Sequence, residues 1–337
     1  MATGELPAAA APVEAEVRAA PTATPTPELT VRRPQRVQRL SVVVPARNES
    51  LNIADLLDEL NEELSALALP FHEIVVVDDG STDHTAQLAT ERDARVVRHA
   101  HGLGNGAAVK RGIREAKGDW ILLLDGDGQH PPRELPAMIA MIEQEHHDMV
   151  VASRGGRGGS LHRNLANQVY NRFASYVADR KIPDLTSGFR LMRADVAKSL
   201  VWLLPNTFSY PTTITMSMLR GGWSVGFHPF QVRQRKGKSH VRLFADGSRF
   251  FVIILRIATM FAPLRVFLPT SLVTAGLGVA WYLHTWLTEG RFTNMAVLLL
   301  TQAMLMFALG LIAEQIAALR FQGLSQAGSD SSNGGEQ

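Results

Sequence analysis

Residues 125–130 (Asp-Gly-Asp-Gly-Gln-His) have the residue types and spacing of a metal and phosphate site. They follow an apolar run, residues 120–124, that predicts a buried strand. In extended backbone, alternate side chains share a face, so Asp125, Asp127 and Gln129 are expected to project together. Three oxygen donors suit a hard divalent cation that keeps positions open for phosphate oxygens. A plain polar turn after a core strand is the alternative at this point.

The segments before this motif alternate between predicted strands and predicted helices. Short apolar, largely β-branched runs predict strands at residues 39–45, 73–77 and 94–98. Apolar residues at helical spacing predict helices at residues 51–67, 82–92 and 105–116. Such alternation is typical of an α/β fold with a mostly parallel sheet and helices on both faces.

Polar clusters follow three of the predicted strands. Residues 45–49, 78–81 and 125–129 each lie where a strand ends. In open α/β sheets, ligands bind beyond the carboxyl ends of the strands. Three polar clusters at equivalent strand ends therefore predict a nucleotide site at one edge of the sheet.

These clusters, with three further segments, resemble a known family. The segments, in chain order, are residues 45–49 (Pro-Ala-Arg-Asn-Glu), 78–81 (Asp-Asp-Gly-Ser), 104–106 (Gly-Asn-Gly), 125–130, 186–190 (Thr-Ser-Gly-Phe-Arg) and a basic Gly-Lys-Ser at 237–239. Together they resemble family 2 glycosyltransferases of the dolichyl- or polyprenyl-phosphate sugar synthase type, over residues 39–262. The resemblance implies the glycosyltransferase-A fold, which is Rossmann-like. It also implies inverting transfer of a sugar from a nucleotide diphosphate sugar to a polyprenyl phosphate.

The resemblance assigns donor-side roles to residues of the first half. Asp125, Asp127 and Gln129 would bind Mg²⁺ or Mn²⁺ bridging the diphosphate, and Gly126 leaves room for the ligand to approach the backbone.

The residues implied to line the base and ribose pocket are Pro45, Arg47 and Glu49. Asp79 would face the base, since uracil and guanine present ring N–H donors. Asp78 has two open roles, contacting the nucleotide or holding the loop. The implied nucleotide sugar is a UDP- or GDP-sugar.

Cationic residues of the second half are expected on the acceptor side. Arg154 follows another apolar run and Arg190 closes the 186–190 segment, so both are candidates to offset repulsion between two phosphate groups. Surface ion pairing is the alternative for each. Arg235 and Lys238 belong to a basic cluster that would meet a lipid phosphate at the membrane surface. Attraction of anionic lipid without catalysis is the alternative for that cluster.

A general base is unnecessary for this reaction. A phosphate monoester has a second pKa of about 6, so the acceptor oxygen is largely ionised at neutral pH. Asp184, three residues before Ser187, is therefore expected to orient the acceptor or an arginine.

Composition divides the chain and excludes some classes of function. Zero cysteines exclude a disulfide framework and thiolate metal sites. A formal net charge of +2 gives no sign of polyanion binding, so no nucleic acid partner is expected. The hydrophobic fraction is 46%, but apolar residues dominate only beyond residue 245.

Two long apolar segments near the C-terminus predict transmembrane helices. Residues 266–287 carry no acid, Lys or Arg, and Glu314 is the only charge in residues 294–319. Each exceeds the 20 or so residues that cross the hydrocarbon core. The short connector makes them a hairpin, and flanking arginines place the catalytic domain in the cytoplasm. The sequence thus predicts a multi-pass protein of the inner (plasma) membrane.

The predicted organisation has five parts. They are a disordered tail (1–36), the catalytic domain (37–242), a juxtamembrane amphipathic helix lying in the interface (243–263), the hairpin (264–321) and a second disordered tail (322–337). A buried helix of the soluble domain is the alternative for 243–263. The oligomeric state, a homo-oligomer included, is open.

Two rival functions are weighed against the transferase. A processive polysaccharide synthase usually carries a Gln-x-x-Arg-Trp segment and more transmembrane helices, and residues 231–234 (Gln-Val-Arg-Gln) lack that pattern. A catalytically inactive, membrane-anchored nucleotide-binding scaffold is opposed by the intact Asp125, Asp127 and Gln129 set. The sequence does not identify the sugar.

Overall fold

The computed structural model describes residues 36–154, 161–207, 209–233, 255, 259–291 and 293–333. Seven strands form one sheet in the order β3-β2-β1-β4-β6-β5-β7. They are β1 (Arg39–Ala46), β2 (Phe71–Asp78), β3 (Arg95–Arg98), β4 (Trp120–Leu123), β5 (Met149–Arg154), β6 (Arg190–Arg193) and β7 (Val225–Phe230). Only β6 runs antiparallel to its neighbours, so the sheet is mostly parallel, as predicted.

Helices cover both faces of the sheet. They are α1 (Ile53–Leu67), α2 (Thr85–Thr90), α3 (Asn105–Glu115), α4 (Leu135–Glu145), α5 (Leu161–Ala178), α6 (Ala194–Leu200) and α7 (Tyr210–Arg220). Short 3₁₀ helices at Pro132–Glu134 and Val201–Leu203 precede α4 and follow α6. The predicted strands and helices of the first half are confirmed to within three residues at each end.

Strand alternation divides the core into two layers. Val42, Val44 and Leu122 face one side and pack in the cluster that includes α1 and α4. Val43 and Leu123 face the other side and pack in the cluster that includes α3, α6 and α7. Strands buried on both faces explain why the sequence shows continuous apolar runs rather than alternation.

Two further helices follow the sheet domain, α8 (Leu264–Glu289) and α9 (Asn294–Asn333). Leu264–Glu289 and Asn294–Leu319 are each 26 residues long and apolar enough to cross a membrane. Only 11% and 17% of their most apolar windows are buried inside the protein. The helices pack closely, because a Cβ on Gly310 would lie 2.7 Å from Cβ of Phe267. The predicted hairpin is therefore present.

Some predicted segments differ from expectation or lie outside the described ranges. α9 continues to Asn333, so residues 322–333, predicted as a disordered tail, are helical in the structure. The first predicted tail and most of the predicted amphipathic helix at 243–263 lie outside the described residues, as do Arg235 and Lys238.

Candidate active site

The metal motif forms a turn, not a continued strand. β4 ends at Leu123, and Gly128 has a φ of +73°, a left-handed conformation that glycine adopts without strain. Oδ1 of Asp127 accepts a hydrogen bond from the Gln129 N–H at 3.1 Å, which closes the turn. The expectation that pleating aligns the three side chains is therefore wrong. Asp125, Asp127 and Gln129 belong to one tight turn instead. The local backbone is therefore the polar turn that the sequence left as the alternative.

Glycines hold this turn against its neighbours. Gly126 donates its N–H to the Pro45 carbonyl at 3.3 Å, which joins the turn to the end of β1. Gly188 lies beside the Asp125 carboxylate, where an added Cβ would overlap Oδ2 and lie 3.0 Å from Cγ. The Asp125 carboxylate therefore has a neighbour with no side chain. Both carboxylates are partly exposed.

The donor set fits a hard divalent cation. Two carboxylates and an amide from one turn supply too few ligands for six-coordinate Mg²⁺ or Mn²⁺, so substrate oxygens or water would complete the shell. Among the described residues, no group of three or more His, Cys, Asp or Glu could hold a metal ion. The fit of Asp125, Asp127 and Gln129 rests on their residue types and on their place in one turn.

His130 supports the turn from beneath, a role that the sequence reasoning missed. It is buried, its ring stacks on Phe189 at 5.3 Å, and Phe230 meets it edge-on at 6.0 Å. Burial lowers the pKa of His130 to about 4, although the Asp127 charge opposes the shift. The neutral ring accepts the Asp125 N–H at Nδ1, 3.3 Å away. Its place as the last residue of the 125–130 motif was the only sequence signal.

Arg154 and Asp184 form a two-pronged ion pair at the end of β5. Nε and Nη2 of Arg154 donate to the two Asp184 oxygens at 2.7 and 2.9 Å, and Nη2 also donates to Thr186 Oγ1. These hydrogen bonds raise the pKa of Arg154, and the charges of Asp184 and Asp125 add to that effect. The Asp184 side chain is 7% exposed and that of Arg154 is 39% exposed. Asp184 therefore orients an arginine, one of its two predicted roles.

Asp184 is held in its ionised form. Burial alone would raise the pKa of Asp184, but the hydrogen bonds and charge of Arg154 and two backbone N–H groups outweigh it and lower the pKa. A carboxylate with these partners is a poor proton acceptor. Nη1 of Arg154 takes part in no hydrogen bond among the described residues, so this edge of the guanidinium can reach a ligand.

Arg190 lies below the site and not on its surface. It is fully buried, and Nη1 donates to the Pro211 carbonyl at 2.9 Å and to Thr215 Oγ1 at 3.1 Å. Nη2 donates to the Ser187 carbonyl. The expectation of an accessible, phosphate-binding Arg190 is wrong for this structure, and so is its alternative of surface ion pairing. The reason is α7, which covers β6 and supplies two acceptors.

A buried tyrosine accompanies this arginine. Burial lowers the pKa of Arg190 to about 10, a shift that Tyr210, Asp184 and Asp125 oppose, so the side chain stays charged at neutral pH. Burial raises the pKa of Tyr210, and the Asp125 charge raises it further. Within the described ranges, neither Nε of Arg190 nor the Tyr210 hydroxyl has a hydrogen-bond partner. No sequence motif marked Tyr210.

The loops after β1 and β2 are tied together beside the turn. The Asn48 N–H donates to Ser81 Oγ at 3.0 Å, and the Glu49 N–H donates to Thr85 Oγ1 at 2.9 Å. Arg47 is exposed and lies against Gly102, where a Cβ would overlap its guanidinium. Pro45, by contrast, is buried in β1.

Asp78 and Asp79 both organise loops. Oδ1 of Asp78 accepts the Ser81 N–H at 2.9 Å and Oδ2 lies 3.0 Å from Nε of Arg98, contacts that favour the loop-holding role. Asp79 accepts the N–H groups of Leu103 and Gly104, each at 2.8 Å, and pairs with His99. Its side chain is 4% exposed. The prediction that Asp79 faces the base therefore disagrees with its position, because both carboxylate oxygens already accept backbone N–H groups of Leu103 and Gly104.

The absence of a side chain at Gly188, beside the Asp125 carboxylate, gives a direct test of the turn. Gly188→Ala is expected to displace the Asp125 carboxylate by about 1 Å and to lower turnover about 100-fold. Melting temperature should stay near that of the wild type, since the overlap can relax towards solvent. Gly276→Ala, a glycine whose Cβ would meet nothing within 4 Å, is the matched control. Wild-type turnover in both variants would contradict the assignment of Asp125.

Comparison with known proteins agrees with these features. Residues 41–201 match the family model described as glycosyl transferase family 2, and residues 262–319 match the GtrB C-terminal hairpin. The chain is 26% identical to an undecaprenyl-phosphate 4-deoxy-4-formamido-L-arabinose transferase of Pectobacterium atrosepticum, over 84% of this chain and 89% of that protein. The protein of the same name from Yersinia enterocolitica is 28% identical, but the match spans only 59% of its length and 53% of this chain.

Solved structures show the same fold. Glucosyl-3-phosphoglycerate synthase from Mycobacterium tuberculosis in complex with phosphoglyceric acid superposes with a TM-score of 0.54 at 20% identity, over 65% of this chain and 80% of that one. Its complex with Mn²⁺, UDP and glucosyl-3-phosphoglycerate gives 0.53 over the same shares. The sheet domain is therefore of the glycosyltransferase-A type. The two matches show a glycosyl transferase family 2 domain over residues 41–201 and a GtrB-type C-terminal hairpin over residues 262–319.

Proposed function

We propose that this protein transfers a sugar from a nucleotide diphosphate sugar to a polyprenyl phosphate at the membrane surface, with inversion of the anomeric centre. The observation that carries the proposal is the Arg154–Asp184 pair, which presents a fixed cation beside the acidic turn of Asp125 and Asp127. One anionic and one cationic group at the same sheet edge suit a reaction between two phosphate-bearing substrates. The relatives' names support an undecaprenyl-type acceptor.

The acidic turn serves the donor. Asp125, Asp127 and Gln129 would hold Mg²⁺ or Mn²⁺, which stabilises the charge that grows on the departing nucleoside diphosphate. The Mn²⁺ and UDP in the M. tuberculosis synthase complex support this choice. His130 fixes the Asp125 backbone, and Gly188 keeps the space beside its carboxylate clear. The chain's own contribution is a turn that is positioned before the substrate arrives.

The nucleoside is expected beside the tied loops after β1 and β2. Arg47 and Glu49 line this region, and Pro45 contributes its carbonyl to the turn. A contact between Asp79 and the base would require its carboxylate to leave Leu103 and Gly104. We therefore assign Asp79 to the loop that borders the base and leave UDP or GDP to experiment.

Arg154 serves the acceptor. Asp184 and Thr186 hold its Nε and Nη2, so the outer edge of the guanidinium points in one direction before any ligand binds. A fixed arginine loses less side-chain freedom when it grips a phosphate. The acceptor phosphate is already ionised near neutral pH, so no proton must be removed by the protein. Asp184 is then a positioning residue, and its low pKa is consistent with that role.

Arg233, two residues before Arg235 in the sequence, contacts the acidic turn. The Arg233 N–H donates to the Gln129 carbonyl at 3.1 Å, and its side chain pairs with Glu59 at 2.6 Å. Arg233 is the last described residue before the basic cluster. This anchor supports a role for the cluster in binding the lipid phosphate.

The hairpin supports a membrane location. We propose that both helices span the inner membrane and that the catalytic domain faces the cytoplasm, where nucleotide sugars are made. The arginines flanking the hairpin on the catalytic-domain side favour this orientation.

A donor and acceptor screen tests the function. Purified full-length protein in detergent is incubated with radiolabelled UDP- and GDP-sugars, undecaprenyl phosphate and Mg²⁺ or Mn²⁺, and labelled lipid is extracted. Transfer of one sugar that stops when EDTA is added is the expected result. Nucleotide binding with no transfer and no donor hydrolysis would favour the scaffold alternative, and a polymeric product would favour the synthase.

Asp184→Asn separates a positioning role from a base. The amide keeps the shape but loses the charge that holds Arg154, so the acceptor KM is expected to rise about tenfold, with kcat reduced less. Asp195→Asn, which breaks the exposed Arg193–Asp195 pair, is the control and should change neither. Loss of kcat by three or more orders of magnitude at saturating acceptor, restored at high pH, would instead make Asp184 a base.

A further inference from the structure

One acidic side chain lies within an otherwise uncharged membrane segment. Glu314 is the only charged residue of Asn294–Leu319. A charge in such a segment is costly and is usually retained for a specific contact. The transfer chemistry proposed above does not use this residue, so its contacts call for an explanation of their own.

Glu314 caps the start of the other hairpin helix. Its Oε2 accepts the Leu264 N–H at 3.1 Å, and Leu264 is the first residue of α8. Pro263, which precedes it, provides no side-chain cap. The first N–H groups of a helix lack partners within it, and a negative charge there also interacts favourably with the helix dipole. Glu314 therefore fixes the base of α8 to α9.

The same carboxylate contacts the catalytic domain. Oε1 of Glu314 lies 3.5 Å from Nη2 of Arg220, and both side chains are 30% exposed. Arg220 is the last residue of α7. The other end of α7 holds Tyr210 and Pro211, whose carbonyl accepts a hydrogen bond from the buried Arg190. α7 has 11 residues, so it spans about 16 Å between the hairpin and the floor of the site.

A second contact joins the hairpin to α5. Nη2 of Arg265 lies 3.5 Å from Oδ2 of Asp179, and its guanidinium lies over the Tyr176 ring at 5.6 Å. The Tyr176 hydroxyl donates to the Arg265 carbonyl at 3.3 Å. Phe261 is buried in the apolar cluster of α5 and α7. The hairpin base is thus attached to two helices of the catalytic domain, and Glu314 is the residue that links α7, α8 and α9.

We propose that Glu314 is a positioning residue that sets the catalytic domain at the height and tilt required by a lipid-embedded acceptor. The inference rests on the proposed function. A long-chain polyprenyl phosphate is confined to the bilayer, so its phosphate can reach Arg154 only if the domain is held at a suitable depth. The donor arrives from water and is insensitive to that orientation. A short, water-soluble acceptor is equally insensitive.

The comparison of two acceptors tests this inference. Glu314→Gln and Arg220→Gln are purified as full-length proteins and reconstituted in liposomes. Each is assayed with undecaprenyl phosphate and with a water-soluble polyprenyl phosphate of two isoprene units. The KM for undecaprenyl phosphate is expected to rise about fivefold in either variant, as for loss of one partly exposed ion pair. The double variant should resemble the single ones, because both remove the same contact. The donor KM and turnover of the short acceptor should match the wild type.

Glu289→Gln is the matched control. Glu289 is at the opposite end of α8 from Leu264, where it pairs with Arg291 at 2.7 Å. Its variant should behave as the wild type with both acceptors. Equal loss with the short and long acceptors, a wild-type KM in both variants, or variants that fail to fold would each overturn the inference. A wild-type protein that transfers to neither acceptor would instead refute the proposed function.

Discussion

Asp125→Asn is expected to lower sugar transfer by at least about 1,000-fold, the cost of losing a charged group that stabilises the transition state. The amide is nearly isosteric, so Gly188 can still pack beside it and His130 can still accept the residue 125 N–H. The change removes a negative charge that a divalent cation requires. Initial rates are measured at saturating donor, acceptor and metal.

The control for this variant is an aspartate on the opposite edge of the sheet. Asp119 is exposed and lies 3.8 Å from Arg39, so Asp119→Asn should keep wild-type rates and melting temperature. Asp125→Asn should also melt near the wild-type temperature in the absence of metal. It should lose the increase in melting temperature that Mn²⁺ with nucleotide gives to the wild type. Retention of more than a tenth of the wild-type rate would remove Asp125 from the metal site.

The second large effect concerns stability. Arg190→Ala is expected to destabilise the protein by about 3 kcal/mol or more, because it removes the donor to the Ser187 carbonyl and opens a cavity under the site. A change of this size lowers the melting temperature of a domain of about 200 residues by roughly 6–12 °C. Thermal unfolding of the detergent-solubilised protein measures it, and donor binding should weaken together with acceptor use.

Arg39→Ala is the comparison for the buried arginine. Arg39 is half-exposed and packs over the Phe71 ring at 4.5 Å, so its loss should cost at most about 1 kcal/mol. If Arg190→Ala melts like the wild type and loses only acceptor use, Arg190 contacts the acceptor, as the sequence suggested. The two outcomes are distinguished by the melting curve before any kinetics are measured.

The sequence predicts the donor half of the fold well, for a physical reason. Strands such as β1 and β2 are buried on both faces, so their apolar runs are continuous and their ends are marked by polar clusters. The hairpin is predicted equally well, because a largely apolar segment of 26 residues has few alternatives to a membrane helix. Local composition determines both features.

Features that depend on distant parts of the chain were not predictable. Arg190 belongs to a polar motif, and only α7, which starts 20 residues later, buries it. The Asp79 carboxylate accepts a hydrogen bond from the backbone N–H of Leu103, 24 residues downstream. The acidic turn was misjudged because alternation was extended beyond Leu123, where the strand stops. In each case, the side chain's partner lies on an element that periodicity does not place.

The reversed direction of β6 has an evolutionary consequence. Because β6 is antiparallel, the loop that precedes it, and not the one that follows, reaches the active edge, so Asp184, Gly188 and Arg190 come from one short stretch. The acidic turn and the β1 and β2 loops come from an earlier, contiguous stretch that ends at His130. A recombination joint within α4 would therefore separate the two. Exchange of the later stretch would still alter the donor side, because Gly188 lies beside the Asp125 carboxylate and Phe189 stacks on His130.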